Sequence, residues 1–230
     1  MLKNRVSRVA DRVEIRNVIM SLSDKEGVEE FARGLERHCP ELHVYSTGGT
    51  YRKLLTLLTD RKRLTELSEY TGQPEMQGGL VKSLDFHVHA GILAEPDNEE
   101  HRSYLEEIGA VYFDMVVVNL YPFGDVIADP HHDLEDARGN IDIGGPTMLR
   151  AAAKNFPRVA AVTEPVEYEA ILRELVDHSG TLSLETRYRL ARQAFEHTSS
   201  YEATIAAYFS SREPTTLAEV YKTAGAQPDE

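Results

Sequence analysis

Asp114-Met115-Val116-Val117-Val118-Asn119-Leu120 is the stretch on which the fold turns. Its centre is continuously apolar and β-branched, with no polar residue alternating through it, as required of a strand covered on both faces of a parallel sheet. Upstream, Asn17-Val18-Ile19-Met20-Ser21-Leu22 and Leu42-His43-Val44-Tyr45 read as further inner strands, and Leu64-Thr65-Glu66-Leu67 as a third. Downstream, Val159-Ala160-Ala161-Val162 is another. Helical spacing lies between them: within 26–38, Val28, Phe31 and Leu35 share a face. Further helices are expected after Thr50 through Leu58, around 99–108, over 166–176 and over 184–209. Strand alternating with helix, joined by right-handed crossovers, predicts an α/β fold: a doubly wound, mainly parallel sheet with helices on both faces. Residues 1–16 read as a flexible tail, 17–212 as one domain and 213–230 as a mobile C-terminal tail.

Bulk properties narrow the function. The 230 residues are 41% hydrophobic, enough for a large core, and no apolar run approaches the roughly 20 residues that span a bilayer. The polar, mixed-charge start carries no secretion signal, and the single cysteine, Cys39, leaves no intrachain disulfide, so a cytoplasmic protein is expected. A net charge of −13 argues against nucleic acid and against an anionic membrane surface. A small anionic substrate then requires local cations and amide dipoles.

In a doubly wound sheet ligands bind beyond the carboxyl ends of the strands. Four segments of the sequence fall there: Ser23-Asp24-Lys25, Thr47-Gly48-Gly49-Thr50, Asn119 through Phe123, and Asp142 with the residues after it. The glycine-rich turn lets an anion approach the backbone at a helix start, with hydroxyls as donors and Lys25 one strand away. Alone it is a plain strand-to-helix turn. In Asp142-Ile143-Gly144-Gly145-Pro146-Thr147-Met148-Leu149-Arg150-Ala151-Ala152-Ala153-Lys154-Asn155 an acid precedes a glycine pair that opens a helix. Pro146 suits its first turn, Pro157 ends it, and Thr147, Arg150 and Lys154 share one face. That pattern reads as a reaction site, with a buried structural ion pair as the bland alternative. Lys82 follows a second glycine pair. His87 and His89 alternate as on a strand, and neither they nor His131 and His132 find a third ligand at a metal spacing, so no metal is expected.

Taken together, these segments resemble the IMP cyclohydrolase domain of the bifunctional purine-biosynthesis enzyme that also carries AICAR transformylase. The likeness rests on Ser21-Leu22-Ser23-Asp24-Lys25-Glu26-Gly27, Ser46 to Thr50, Tyr70-Thr71-Gly72-Gln73-Pro74-Glu75-Met76, Asp114 to Phe123, Ile141 to Asn155 and Ala194-Phe195-Glu196-His197-Thr198, in order from about residue 17 to 212. It implies a methylglyoxal-synthase-like sheet and the closure of 5-formamidoimidazole-4-carboxamide ribotide to inosine monophosphate. No cofactor is implied. A transformylase half is not part of the match, so a stand-alone cyclohydrolase is expected, its partner a separate formyl-transfer enzyme and its oligomeric state open to a homodimer.

By this resemblance Lys82, Tyr121, Asp142 and Lys154 are the catalytic group, with Lys154 the acid/base and Lys82 at the formyl oxygen beside the backbone of Ser83. Val118 and Asn119 would meet the base. Ser23, Asp24, Lys25, Thr47, Gly48, Gly49 and Thr50 would hold phosphate and ribose, and Ser21, Val81, Ser83 and Ile143 would line the substrate. One departure stands out. The family pattern Arg-Val-Lys-Thr-Leu-His-Pro is here Leu80-Val81-Lys82-Ser83-Leu84-Asp85-Phe86, without the arginine, histidine and proline. Losing a charge-assisted phosphate contact costs about 1.5–3 kcal/mol. A non-catalytic sensor of a phosphorylated purine precursor is the alternative this departure motivates; methylglyoxal synthase is a weaker third.

Overall fold

The computed structural model describes residue 6, residues 8–74 and residues 83–221. In chain order the elements are β1 (Arg12–Glu14), β2 (Asn17–Leu22), α1 (Val28–His38), β3 (His43–Ser46), α2 (Gly48–Leu54), β4 (Leu64–Glu66), α3 (Leu67–Thr71), α4 (Phe86–Leu93), α5 (Glu99–Ile108), β5 (Met115–Asn119), α6 (Phe123–Ala128), α7 (Leu134–Gly139), α8 (Gly144–Lys154), β6 (Ala160–Val162), α9 (Tyr168–Asp177), β7 (Thr181–Ser183), α10 (Leu184–Ser210) and α11 (Leu217–Val220).

The valine run is β5, and it lies inside a parallel sheet of order β4-β3-β2-β5-β6. Period-2 alternation divides its side chains between two cores. Met115 and Val117 join Val18, Met20 and Leu22 beneath α1, α2 and α9, while Val116 and Val118 join Ile19 beneath α3, α4 and α8. Both faces are therefore dry, which is why no polar residue interrupts the run. The chain winds from β2 to β3 to β4 at one edge, then returns to β5 on the other side of β2 and continues to β6. Strand order reverses between β2 and β5, which pair Ser21 with Val118 and Leu22 with Asn119. The crevice for a ligand opens there, beyond the carboxyl ends.

α8 runs back against the strands. Its start sits at the carboxyl rim by Leu120, and its end at the amino rim, where Asn155 donates to the carbonyl of Ile92. Arg158, just beyond, donates to the carbonyls of Gly91, Ile92, Ala94 and Phe113 and to Asp114. It closes that rim. A cleft of about 1340 Å³ opens beside it, but with all five guanidinium donors engaged Arg158 offers no free cation to a ligand there.

Four sequence expectations change. The segment read as a tail contains β1, which pairs antiparallel with β7. Each strand is three residues with one inward apolar side chain, too short for a periodic signal. Buried Arg187 binds them, donating to the carbonyls of Ala10, Asp11 and Leu182 as well as Phe156 and Pro157. Beyond residue 212 the chain forms a 3-10 turn (Pro214–Thr216) and α11, and the Tyr221 hydroxyl donates to Glu135. His87 and His89 stand on α4, not on a strand, because the Asp85 carboxylate caps that helix from the His87 N–H. α2 ends at Leu54, before the expected Leu58.

Candidate active site

At the switch point Asn119 organises the loop that follows β2. Its Oδ1 accepts from the N–H groups of Ser23 (2.5 Å) and Asp24 (3.1 Å), and its Nδ2 donates to the Asp24 carbonyl (2.7 Å). An amide carries both acceptor and donor, so one side chain clamps the loop from both sides. Sequence reading placed Asn119 on the substrate base; in the structure most of its hydrogen-bonding capacity goes to this loop.

The next strand brings the glycine-rich turn alongside. Ser21 and Thr47 share a hydroxyl–hydroxyl bond of 2.9 Å, and Thr50 bonds both the N–H and the carbonyl of Leu22. Gly48 takes φ +41°, a left-handed value that favours glycine. The first N–H groups of α2 have no intrahelical acceptor and face the same rim. Lys25 reaches this turn, its ammonium donating to the carbonyls of Leu22 (3.2 Å) and Ser23 (3.1 Å). A Cβ on Gly49 would lie 3.8 Å from Lys25 Nζ and 3.9 Å from an Arg52 guanidinium nitrogen, so two cations flank the turn. Arg52 escaped the sequence reading. It follows Gly49 by one helical turn, and that i,i+3 spacing is the signal that locates it.

At the mouth of α8, Asp142 Oδ1 accepts the Gly145 N–H at 2.9 Å, and the carboxylate also accepts from the Tyr121 N–H. Burial pushes the Asp142 carboxyl above its ordinary range, against those two N–H groups, which pull it down. The Tyr201 hydroxyl, from α10, accepts the Asp142 N–H at 2.9 Å and donates to the Asn140 carbonyl. Burial raises the Tyr201 hydroxyl pKa. No local sequence feature joins Tyr201 to Asp142; only packing of α10 on α8 does. Ser83 packs against this turn so closely that a Cβ on Gly144 would collide with its Oγ. Tyr121 and Ile143 are exposed beside it, at 44% and 57%, open to a ligand.

The structure thus gathers Ser21, Ser23, Asp24, Lys25, Thr47, Gly48, Gly49, Thr50, Asn119, Tyr121, Asp142, Ile143 and Ser83 along one rim. Val118 differs: its side chain is 1% exposed in the core, leaving only main chain for contact. Lys154 is not brought in. Ten residues of helix separate it from Gly144, about 15 Å at 1.5 Å per residue, and it is exposed near the amino rim. Short separation in sequence is long in space when a helix spans it. Val81 and Lys82 lie outside the described residues. No group of three or more histidine, cysteine or carboxylate side chains able to hold a metal occurs among the described residues, and no helix among them is long and apolar enough to cross a membrane.

A five-stranded parallel sheet with a hydroxyl-rich turn and an acid at its switch point matches a defined class. Residues 27–147 match the model of the MGS-like domain. Residues 152–229 match that of the AICARFT/IMPCHase bienzyme, and the chain belongs to the MGS-like domain family. Among solved structures it is similar to one described as the crystal structure of ForH. The two share 33% identity, covering 85% of this chain and 97% of that one, with a TM-score of 0.74.

Proposed function

We propose that this chain closes the six-membered ring of 5-formamidoimidazole-4-carboxamide ribotide to give inosine monophosphate. The observation that carries the proposal is Asp142. Its burial favours the protonated carboxyl, a ready donor, and it stands at the switch point on the same rim as the Thr47 to Thr50 turn with Lys25 and Arg52. Phosphate at that turn would meet hydroxyls, unpaired N–H groups and two cations.

Attack of the carboxamide nitrogen on the formyl carbon moves the carbonyl electron pair to oxygen, which takes a proton from Asp142. Water then leaves as the carbon–oxygen bond breaks. Two protons leave nitrogen and two arrive on oxygen over the cycle, so the reaction balances with no further reactant. Tyr121, whose N–H already touches Asp142, is the neighbouring phenol for the developing oxyanion. Holding both arms of the substrate in a reactive conformer supplies on the order of 7–11 kcal/mol in well-oriented intramolecular reactions.

The test is an ultraviolet assay of ring closure by the purified chain with no folate present. Conversion at a rate that falls on Asp142→Asn supports the proposal; absence of closure overturns it. Placement of Lys154 on the opposite rim favours a second reading, a sensor that binds a phosphorylated purine precursor. Thermal stabilisation by inosine monophosphate without turnover would select that reading.

A further inference from the structure

The segment that departs from the family pattern forms a structured pair at this same rim. Asp85 is 8% exposed, and its Oδ1 lies 2.8 Å from both the backbone N–H and the Nδ1 of His87. The carboxylate thus caps α4 and holds the imidazole at once. Nδ1–H donated to Asp85 leaves Nε2 with a lone pair, the form of imidazole that accepts a proton. The ring is held between Phe86, tilted against it with centroids 4.0 Å apart, and the edge of Tyr70 at 6.2 Å, while the Tyr70 hydroxyl is tied to the Val111 N–H. His87 Nε2 has no bonding partner among the described residues, and the side chain is one-fifth exposed.

The pair opens the helix that packs beside the one Asp142 caps. α4 packs beside α8 and, like it, runs from the carboxyl rim to the amino rim, where the Ala94 carbonyl meets Arg158. Its first turn therefore lies level with the first turn of α8. Ser83, two residues before Asp85, is the side chain pressed against Gly144, and Gly145 carries Asp142. His87 is on that turn. The titratable groups facing it are Asp85 and Tyr70, with His89 turned to the Asp85 carbonyl at 3.0 Å.

The proposed ring closure calls for two complementary groups, a donor to oxygen and an acceptor from nitrogen, held in different environments. Asp142, buried and favoured as the acid, supplies the first. Lys154, on the far rim, cannot supply the second. We propose that His87, held by Asp85 as its positioning residue, is the base of the ring closure. Resting on the ring-closure reading, this assigns Nε2 the proton that the carboxamide nitrogen gives up as its bond to the formyl carbon forms. That N–H electron pair stays on nitrogen, and the carbonyl pair goes to the oxygen that Asp142 protonates. Nε2 then passes its proton through solvent to the Asp142 carboxylate, which resets both groups. In the dehydration the roles repeat: the former formamide nitrogen loses its proton to Nε2, Asp142 protonates the hydroxyl, and the oxygen departs as water.

The experiment combines ring-closure kinetics, inosine monophosphate binding and thermal unfolding on wild type, His87→Ala, His87→Gln and Asp85→Asn. His87→Ala and His87→Gln should each lower kcat by about 10²–10⁴-fold while leaving nucleotide affinity within about threefold, and added imidazole should restore part of the rate of the alanine variant. Asp85→Asn keeps an oxygen to cap α4, so its unfolding temperature should hold while kcat drops by at least about tenfold through a wrong tautomer. Active wild type with His87 variants near wild-type kcat, or with rate and affinity falling together, overturns the assignment and leaves ring closure standing. Wild type that closes no ring overturns both.

Discussion

Gly145→Ala is the sharpest test of how Asp142 is held. A Cβ at residue 145 would lie 2.5 Å from Asp142 Oδ2, 3.1 Å from its Cγ and 2.7 Å from Leu120 Cδ2. Leu120 is buried and has little room to retreat, so Asp142 must swing away and release the Gly145 N–H. Overpacking costs about 1–3 kcal/mol and a lost hydrogen bond about 0.5–1.5 kcal/mol. The better helix propensity of alanine returns at most about 1 kcal/mol. The net, about 1–4 kcal/mol, lowers Tm by about 3–12 °C in a chain of this size. Moving a reacting group by about 1 Å costs on the order of 100-fold in rate, so kcat should fall by that order. Gly124→Ala is the matched control. Gly124 lies in α6, and a methyl group there would meet no atom within 4 Å, so alanine should hold or raise Tm. Calorimetric unfolding and ring-closure assays on both variants decide the matter. Gly145→Ala unfolding within a degree of the Gly124→Ala control, at undiminished rate, would refute this account of Asp142.

Lys154→Ala should leave kcat and KM within roughly twofold, as for other exposed substitutions, and a large loss would put the lysine back among the catalytic groups. Asn119→Asp keeps the acceptor for Ser23 and Asp24 but turns a lone pair on the Asp24 carbonyl, now 2.7 Å from a donor. Inosine monophosphate binding by titration calorimetry should weaken about tenfold or more, by the roughly 1.5–3 kcal/mol of a hydrogen bond to a charged group; equal affinity would show that the clamp is dispensable. Glu174 links stability to pH. Its burial opposes ionisation, but hydrogen bonds from Thr186 and Ser183 outweigh that and hold its pKa below the ordinary 4.5. The folded pKa is the lower one, so its contribution is present above the unfolded value and disappears as pH falls through the folded one. The stability gap between wild type and Glu174→Gln should shrink as denaturant midpoints are taken from about pH 6 to pH 3, and a gap that does not change would contradict the sign.

The sheet was legible because its inner strands are continuous. Val116, Val117 and Val118 face two dry cores, so an unbroken apolar run marks the strand, and β2 and β6 also contribute to both cores. β1 and β7 were illegible because Val13 and Leu182 are single apolar residues whose pairing depends on Arg187, far along the chain. The alternation of His87 and His89 misled because two histidines cannot distinguish a period of 2 from a helix opened by Asp85. Asp142 was found through its glycine pair, whereas Tyr201, which anchors the same loop, is joined to it only by tertiary packing. Lys154 illustrates the converse. A motif compact in sequence spreads over two rims once its alanines form a helix.

Arg187 sets where this protein can safely be shortened. Two of its five acceptors, the carbonyls of Ala10 and Asp11, belong to a stretch that looks expendable. Burial already draws its pKa down to about 10. Trimming the chain to begin at Asn17 would strip those oxygens from a guanidinium with nowhere to go, and water or collapse would have to follow it into the heart of the longest helix. Affinity tags belong ahead of the first strand, joined to it and never in its place.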